Sequence, residues 1–284
     1  MLNKNMFLIS ILTATLLILS GCTPAKELVK KAPADAQFSD VPTLFLHGFG
    51  GDADSMKPMI KSITAAKLGT ETEIIHVQAN DTLATSGTLT AKNNNPLINV
   101  VFDDSTNGNP AHNATVLRAI IEKLHHQYHF KQFNVVAHSM GNSTLAEYLL
   151  ANANDPDLPT LNKYVAIASI SNSFIGGNSG NTKASESPLL KTGEPTIKST
   201  MFTHLEKLHT TFPQAAHVLN IFGNLDNGSN SDGRVPINSA QSLKYLTSPG
   251  ASYQQHEYHG AAAQHSKLKR NPQVEKAVMR FLFE

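Results

Sequence analysis

From residue 97 to the C-terminus, apolar runs of strand length alternate with stretches of helical periodicity, and no other feature restricts the fold of this chain more. Residues 97–102 (LINVVF) read as a buried strand, 114–128 carry Val116, Leu117, Ile120, Ile121 and Leu124 at helical spacing, and 133–137 (FNVVA) read as the next strand. A helix over 143–151 follows, then strands over 164–169 (YVAIAS), 218–222 (VLNIF) and 252–258, with a terminal helix over 274–283. This order predicts an α/β domain with a mostly parallel sheet and helices on both faces. The composition permits such a core, since the 284 residues are 40% hydrophobic and 16% charged.

Upstream, residues 41–46 (VPTLFL) form a short apolar run that His47-Gly48-Phe49-Gly50-Gly51 breaks, as a strand entering a glycine turn does. Residues 55–67 can form a helix, while 73–78 and 85–90 have the β-branched content of a hairpin. The stretch 171–197, rich in glycine, serine and asparagine, interrupts the rhythm. A loop of that length inside a domain predicts an insertion lying over the site as a lid.

The N-terminus follows a different logic. Lys4 precedes an almost unbroken apolar run over residues 6–19, which Leu19-Ser20-Gly21-Cys22 closes. A run of about 14 residues is short for a bilayer span of about 20 and has the form of a secretory signal. The Leu-Ser-Gly-Cys ending resembles the lipobox of bacterial lipoproteins. That resemblance implies a signal peptide over 1–21, a diacylglycerol on the Cys22 sulfur, a tether over 22–40 and a folded domain over 41–284 at the outer face of the cell membrane. Cys22 is the only cysteine, so no intramolecular disulfide is available. The 23 basic and 22 acidic side chains form no run of either sign. Nucleic acid is thereby an unexpected partner, and membrane contact is expected through the lipid rather than through charge.

The chemistry concentrates in Val135-Val136-Ala137-His138-Ser139-Met140-Gly141, an apolar strand running into small-x-Ser-x-Gly with a helix behind it. That is a nucleophile elbow, in which the tight turn needs small neighbours and presents the serine hydroxyl at the carboxyl end of the sheet. Ser139 is the expected nucleophile. The N–H groups of Met140 and of Phe49, in the glycine turn after the first strand, are the expected oxyanion donors. A serine still needs a base. Among 13 histidines, His265 lies in the loop between the last strand and the terminal helix, with His259 its rival in the same loop. The orienting acid should follow the strand over 218–222. Asp232 fits D-x-x-V-P with Val235 and Pro236, and Asp226 fits G-x-x-D from Gly223. Asp232 is the choice and Asp226 the alternative. His125, His126 and His129 share a helix without a carboxylate or cysteine at ligand spacing, so no metal is expected, nor any other cofactor.

Taken together, HGFGG at 47–51, PLINVVFDD at 96–104, AHSMGN at 137–142, SDGRVPINSAQSL at 231–243 and the 260–274 stretch with His265-Ser266 resemble a particular group. It is the cell-surface α/β hydrolases of low-GC Gram-positive bacteria, whose function is largely unassigned. The resemblance runs from about Thr43 to the C-terminus and implies the α/β-hydrolase fold with Ser139, Asp232 and His265 as a triad. Ala137 departs from the family glycine, and Asn142 stands where a second glycine is common. The expected activity is hydrolysis of carboxylic esters through an acyl-enzyme, on a small-molecule or peptide-like acyl substrate. A peptidase or amidase, or a surface binding protein without catalysis, are the alternatives.

Overall fold

The computed structural model describes residues 39–89, 94–176, 182–247 and 249–284. The expected signal peptide, Cys22 and nearly all of the expected tether lie outside these. The strands are β1 (Thr43–Leu46), β2 (Thr70–Val77), β3 (Leu83–Gly87), β4 (Pro96–Phe102), β5 (Gln132–His138), β6 (Thr160–Ile167), β7 (His217–Asn224) and β8 (Ser252–His259). The helices are α1 (Lys57–Ala65), α2 (Pro110–Tyr128), α3 (Met140–Asn152), α4 (Thr200–Leu205), α5 (Leu208–Thr211), α6 (Ile237–Gln241), α7 (Leu243–Leu246), α8 (His265–Leu268) and α9 (Pro272–Phe283).

The eight strands form one sheet in the order β3-β2-β4-β1-β5-β6-β7-β8. Every pairing is parallel except that of β2 with β3, which is the expected hairpin. Because side chains alternate across a strand, each central strand feeds two cores. Leu44, Leu46, Val135 and Ala137 pack with α2 and α3 on one face. Phe45, Val136 and Val165 pack with α1 and α9 on the other. Central strands apolar on both sides are the consequence of helices covering both faces.

Several boundaries differ from expectation, as where the strand expected over 164–169 is Thr160–Ile167, and two helix starts have local reasons. Helix α2 starts at Pro110, four residues before the apolar periodicity, because the Asn109 side chain caps it by accepting the His112 N–H and Pro110 suits the first turn. Helix α3 starts at Met140, directly after the serine. In the 171–197 stretch, the described residues are bonded into the body. The Ser239 hydroxyl accepts the N–H groups of Asn172 and Ser173, and the Asn172 side chain donates to Ala184 and Ile197 carbonyls. Among the described residues, no helix is long and apolar enough to cross a membrane.

Candidate active site

The elbow is built by β5 ending at His138 and α3 starting at Met140, which leaves Ser139 alone to reverse the chain. It does so at φ 52°, ψ −122°, a conformation that costs a non-glycine residue energy and needs support. That support comes from all sides. The Ser139 N–H donates to the Ile167 carbonyl at the end of β6 over 3.0 Å. The Asn142 amide donates to the carbonyls of both Ser139 and Ile167, and its oxygen accepts from the Tyr164 hydroxyl. Asn142, the departure from the resembled family, is therefore the brace that ties the elbow to β6.

Glycines bring the neighbouring segments close. A Cβ on Gly141 would stand 2.7 Å from the Leu46 carbonyl oxygen, and one on Gly48 would stand 2.8 Å from Ser139 Cβ. The glycine turn after β1 is thus pressed onto the elbow. Its shape is held by His47, which donates from Nδ1 to the Gly48 carbonyl over 2.8 Å and accepts the Phe102 N–H at Nε2 over 2.9 Å. Burial keeps the His47 imidazole below its ordinary pKa, against the pull of that carbonyl, so it stays neutral as this bonding pattern requires. The N–H groups of Phe49 and Met140 find no acceptor among the described residues. Both flank Ser139, one across the turn and one next in the chain, where an oxyanion would need donors.

The structure brings Ser139, His265 and Asp232 together. The His265 ring lies with Nε2 2.8 Å from Ser139 Oγ and donates from Nδ1 to Asp232 Oδ2, also at 2.8 Å. Asp232, at the turn after β7, is 1% exposed. Its other oxygen accepts the Arg234 and Val235 N–H groups over 2.8 and 2.7 Å, so the carboxylate cannot rotate away from the imidazole. The main chains are joined too, by the His265 N–H donating to the Asp232 carbonyl over 2.9 Å. With Nδ1–H engaged by the carboxylate, the Nε2 lone pair faces the serine hydroxyl. Such an arrangement can take a proton from Oγ and hold the resulting imidazolium.

The alternatives for acid and base pair with each other instead. His259 Nδ1 donates to Asp226 Oδ1 over 2.8 Å on the open surface, with side chains 57% and 51% exposed. The Asp226 carboxylate raises the His259 pKa. His138 is buried, with its ring tilted against that of His265 at a centroid distance of 4.9 Å. Among the described residues, no group of three or more His, Cys, Asp or Glu side chains could hold a metal ion. Sequence reasoning missed the bracing by His47, His138 and Asn142, whose partners lie far away in the chain. Adjacency to the motif residues was the only available signal.

Residues 30–284 match the sequence model of a family described as α/β hydrolases of unknown function (DUF915). A gene product from Listeria innocua with a solved crystal structure is 26% identical, with a TM-score of 0.77 over 86% of this chain and 94% of that one. A Lactobacillus plantarum protein designated a cell surface hydrolase is 22% identical, with a TM-score of 0.66 over 85% of this chain and 91% of that one. No functionally curated protein matches the sequence.

Proposed function

The chain belongs to that family of α/β hydrolases, whose model spans residues 30–284, and on this premise we propose that it is a serine hydrolase acting on carboxylic esters at the outer face of the cell membrane. One observation carries the reading: an unbroken series of contacts from Ser139 Oγ through His265 to Asp232, each 2.8 Å long. In the first step Ser139 Oγ attacks the ester carbonyl carbon while His265 Nε2 takes the hydroxyl proton. The carbonyl oxygen becomes the oxyanion and accepts from the Phe49 and Met140 N–H groups. The tetrahedral intermediate then expels the alcohol, His265 returning the proton to its oxygen, and leaves an acyl-Ser139. Water attacks that ester with His265 again as base, releasing the acid and restoring the serine.

Exposed apolar side chains in loops at the carboxyl edge of the sheet support an acyl substrate. Phe49, Phe174 and Ile175 are exposed in the loops after β1 and β6, and the Ile175 N–H donates to the carbonyl of Arg234 beside Asp232. Such surface suits the hydrocarbon of an acyl group. The apolar run over 6–19 and Leu19-Ser20-Gly21-Cys22 support export and a lipid anchor, in keeping with the cell surface designation of the Lactobacillus plantarum protein.

The test is turnover of p-nitrophenyl esters and matched anilides by purified wild-type protein and Ser139→Ala. Ester hydrolysis by the wild type should fall at least about 10³-fold in the variant. Equal rates in the two proteins would end this reading, and faster anilide turnover would make the protein an amidase. A surface binder without catalysis would turn over neither.

A further inference from the structure

His138 closes β5 one residue before the nucleophile and is 3% exposed, between the elbow, the Gly48 turn and the loop of His265. Its Nε2–H donates to the main-chain carbonyl of His265 over 3.0 Å, and its ring centroid lies 4.9 Å from that of His265. A neutral imidazole has one N–H, so this bond assigns the lone pair to Nδ1. That atom is buried and has no hydrogen-bond partner.

The orphaned nitrogen is informative because a buried acceptor without a donor weakens folding. A leucine or phenylalanine would fill the same space without leaving a polar atom stranded. What the imidazole provides and a hydrocarbon does not is a single donor on the carbonyl of His265. The consequence for His265 is specific. Its N–H is held by the Asp232 carbonyl and its own carbonyl by His138, so both polar atoms of its main chain are fixed. Both ring nitrogens are engaged as well. Burial, and then the positive charge that His265 takes up on protonation and that Lys269 carries, hold the His138 pKa well below the ordinary imidazole range. His138 therefore stays neutral while its neighbour gains and loses a proton.

We propose that His138 is a positioning residue for the base: its Nε2–H clamps the His265 main chain and thereby sets the separation of His265 Nε2 from Ser139 Oγ. The inference rests on the serine-hydrolase reading above. The residue before the nucleophile registers the base against it, so one dipeptide at the end of β5 places both reacting groups.

The test compares His138→Gln with His138→Met, side chains of near-equal volume. The glutamine amide can donate to the His265 carbonyl and the methionine cannot. On p-nitrophenyl acetate, kcat of the methionine variant should lie about tenfold or more below that of the glutamine variant, with KM within about twofold, since misplacing a base slows the chemical step more than binding. If the methionine variant does not fold, His138→Asn, whose amide is too short to reach, takes its place with the same expectation. Equal kcat in the donor and non-donor variants would overturn the clamp. A wild-type protein that neither hydrolyses the ester nor reacts with a fluorophosphonate would remove the hydrolase reading, and the clamp with it. Activity in the wild type with no difference between the variants removes the clamp alone.

Discussion

At the residue scale, two aspartate–histidine pairs of the same chemistry form between the segment after β7 and the chain from the end of β8 onward, and burial separates them. Asp232 and His265 are enclosed beside Ser139, while Asp226 and His259 meet on the surface. Sequence spacing could place Ser139 because strand, small residues and helix are local signals. It favoured Asp232 and kept Asp226 as the alternative, since which carboxylate turns inward is decided by the Arg234 and Val235 N–H groups folding back on Asp232. The two neutral histidines were legible only as motif letters. Both are harder to protonate folded than unfolded, chiefly because burial penalises the charged form; Lys269 adds to this at His47 while Asp52 and Asp103 oppose it, and His265, Lys269 and His47 add to it at His138. As pH falls through the ordinary imidazole value of about 6.5, the unfolded chain binds these protons first. Their contribution to stability is therefore complete above that pH and is lost below it, at up to about 1.4 kcal/mol per pH unit for each group. The exposed His259–Asp226 pair has the opposite sign, but solvent screens it. Thermal melts from pH 7.5 to 5 should show Tm falling on acidification, with a shallower fall in His138→Gln. A Tm that holds or rises would contradict the account of both histidines.

At the element scale, the strands and long helices were legible because parallel strands under two helical layers are apolar throughout and the helices between them are not. The expected strand over 133–137 is β5 with one more residue at each end, and the strand over 218–222 lies within β7. What periodicity could not reveal were capped beginnings, such as Asn109-Pro110, and polar segments that are buried. The 171–197 stretch reads as loop because its anchors, Asn172 and Ser239, make single hydrogen bonds across the fold and repeat with no period. The contact of α3 with β1 is the junction on which the elbow depends. A side chain at Gly141 would meet main-chain oxygens of Leu46 and His47 at 2.7 and 2.9 Å, and backbone there cannot yield without opening the sheet. Gly141→Val is therefore expected to lose about 1–3 kcal/mol or more in urea unfolding. Gly108→Ala, where a Cβ would meet only the edge of the Phe49 ring at 3.9 Å, should stay within about 0.5 kcal/mol of wild type. Equal stability of the two variants would refute close packing as the reason for Gly141.

At the scale of the whole molecule, one sheet gathers residues 126 positions apart in the chain. Ser139 follows β5, Asp232 follows β7 and His265 follows β8, so all three reach the carboxyl edge, where parallel strands leave a crevice. The chain enters β1 at the other end of the sheet. There Ser39 pairs with Asn95, just before β4 starts, at the amino edge of the sheet. The account stands or falls on a hydroxyl at 139 made nucleophilic by a buried imidazole and carboxylate. The direct measurement is intact-mass and peptide mapping after reaction with a fluorophosphonate, which modifies a serine only when a base removes its proton. One adduct on Ser139 is expected, forming about 100-fold or more slowly in Asp232→Ala and at close to the wild-type rate in Asp226→Ala. An unmodified Ser139, or labelling that depends on Asp226 and not on Asp232, would contradict it.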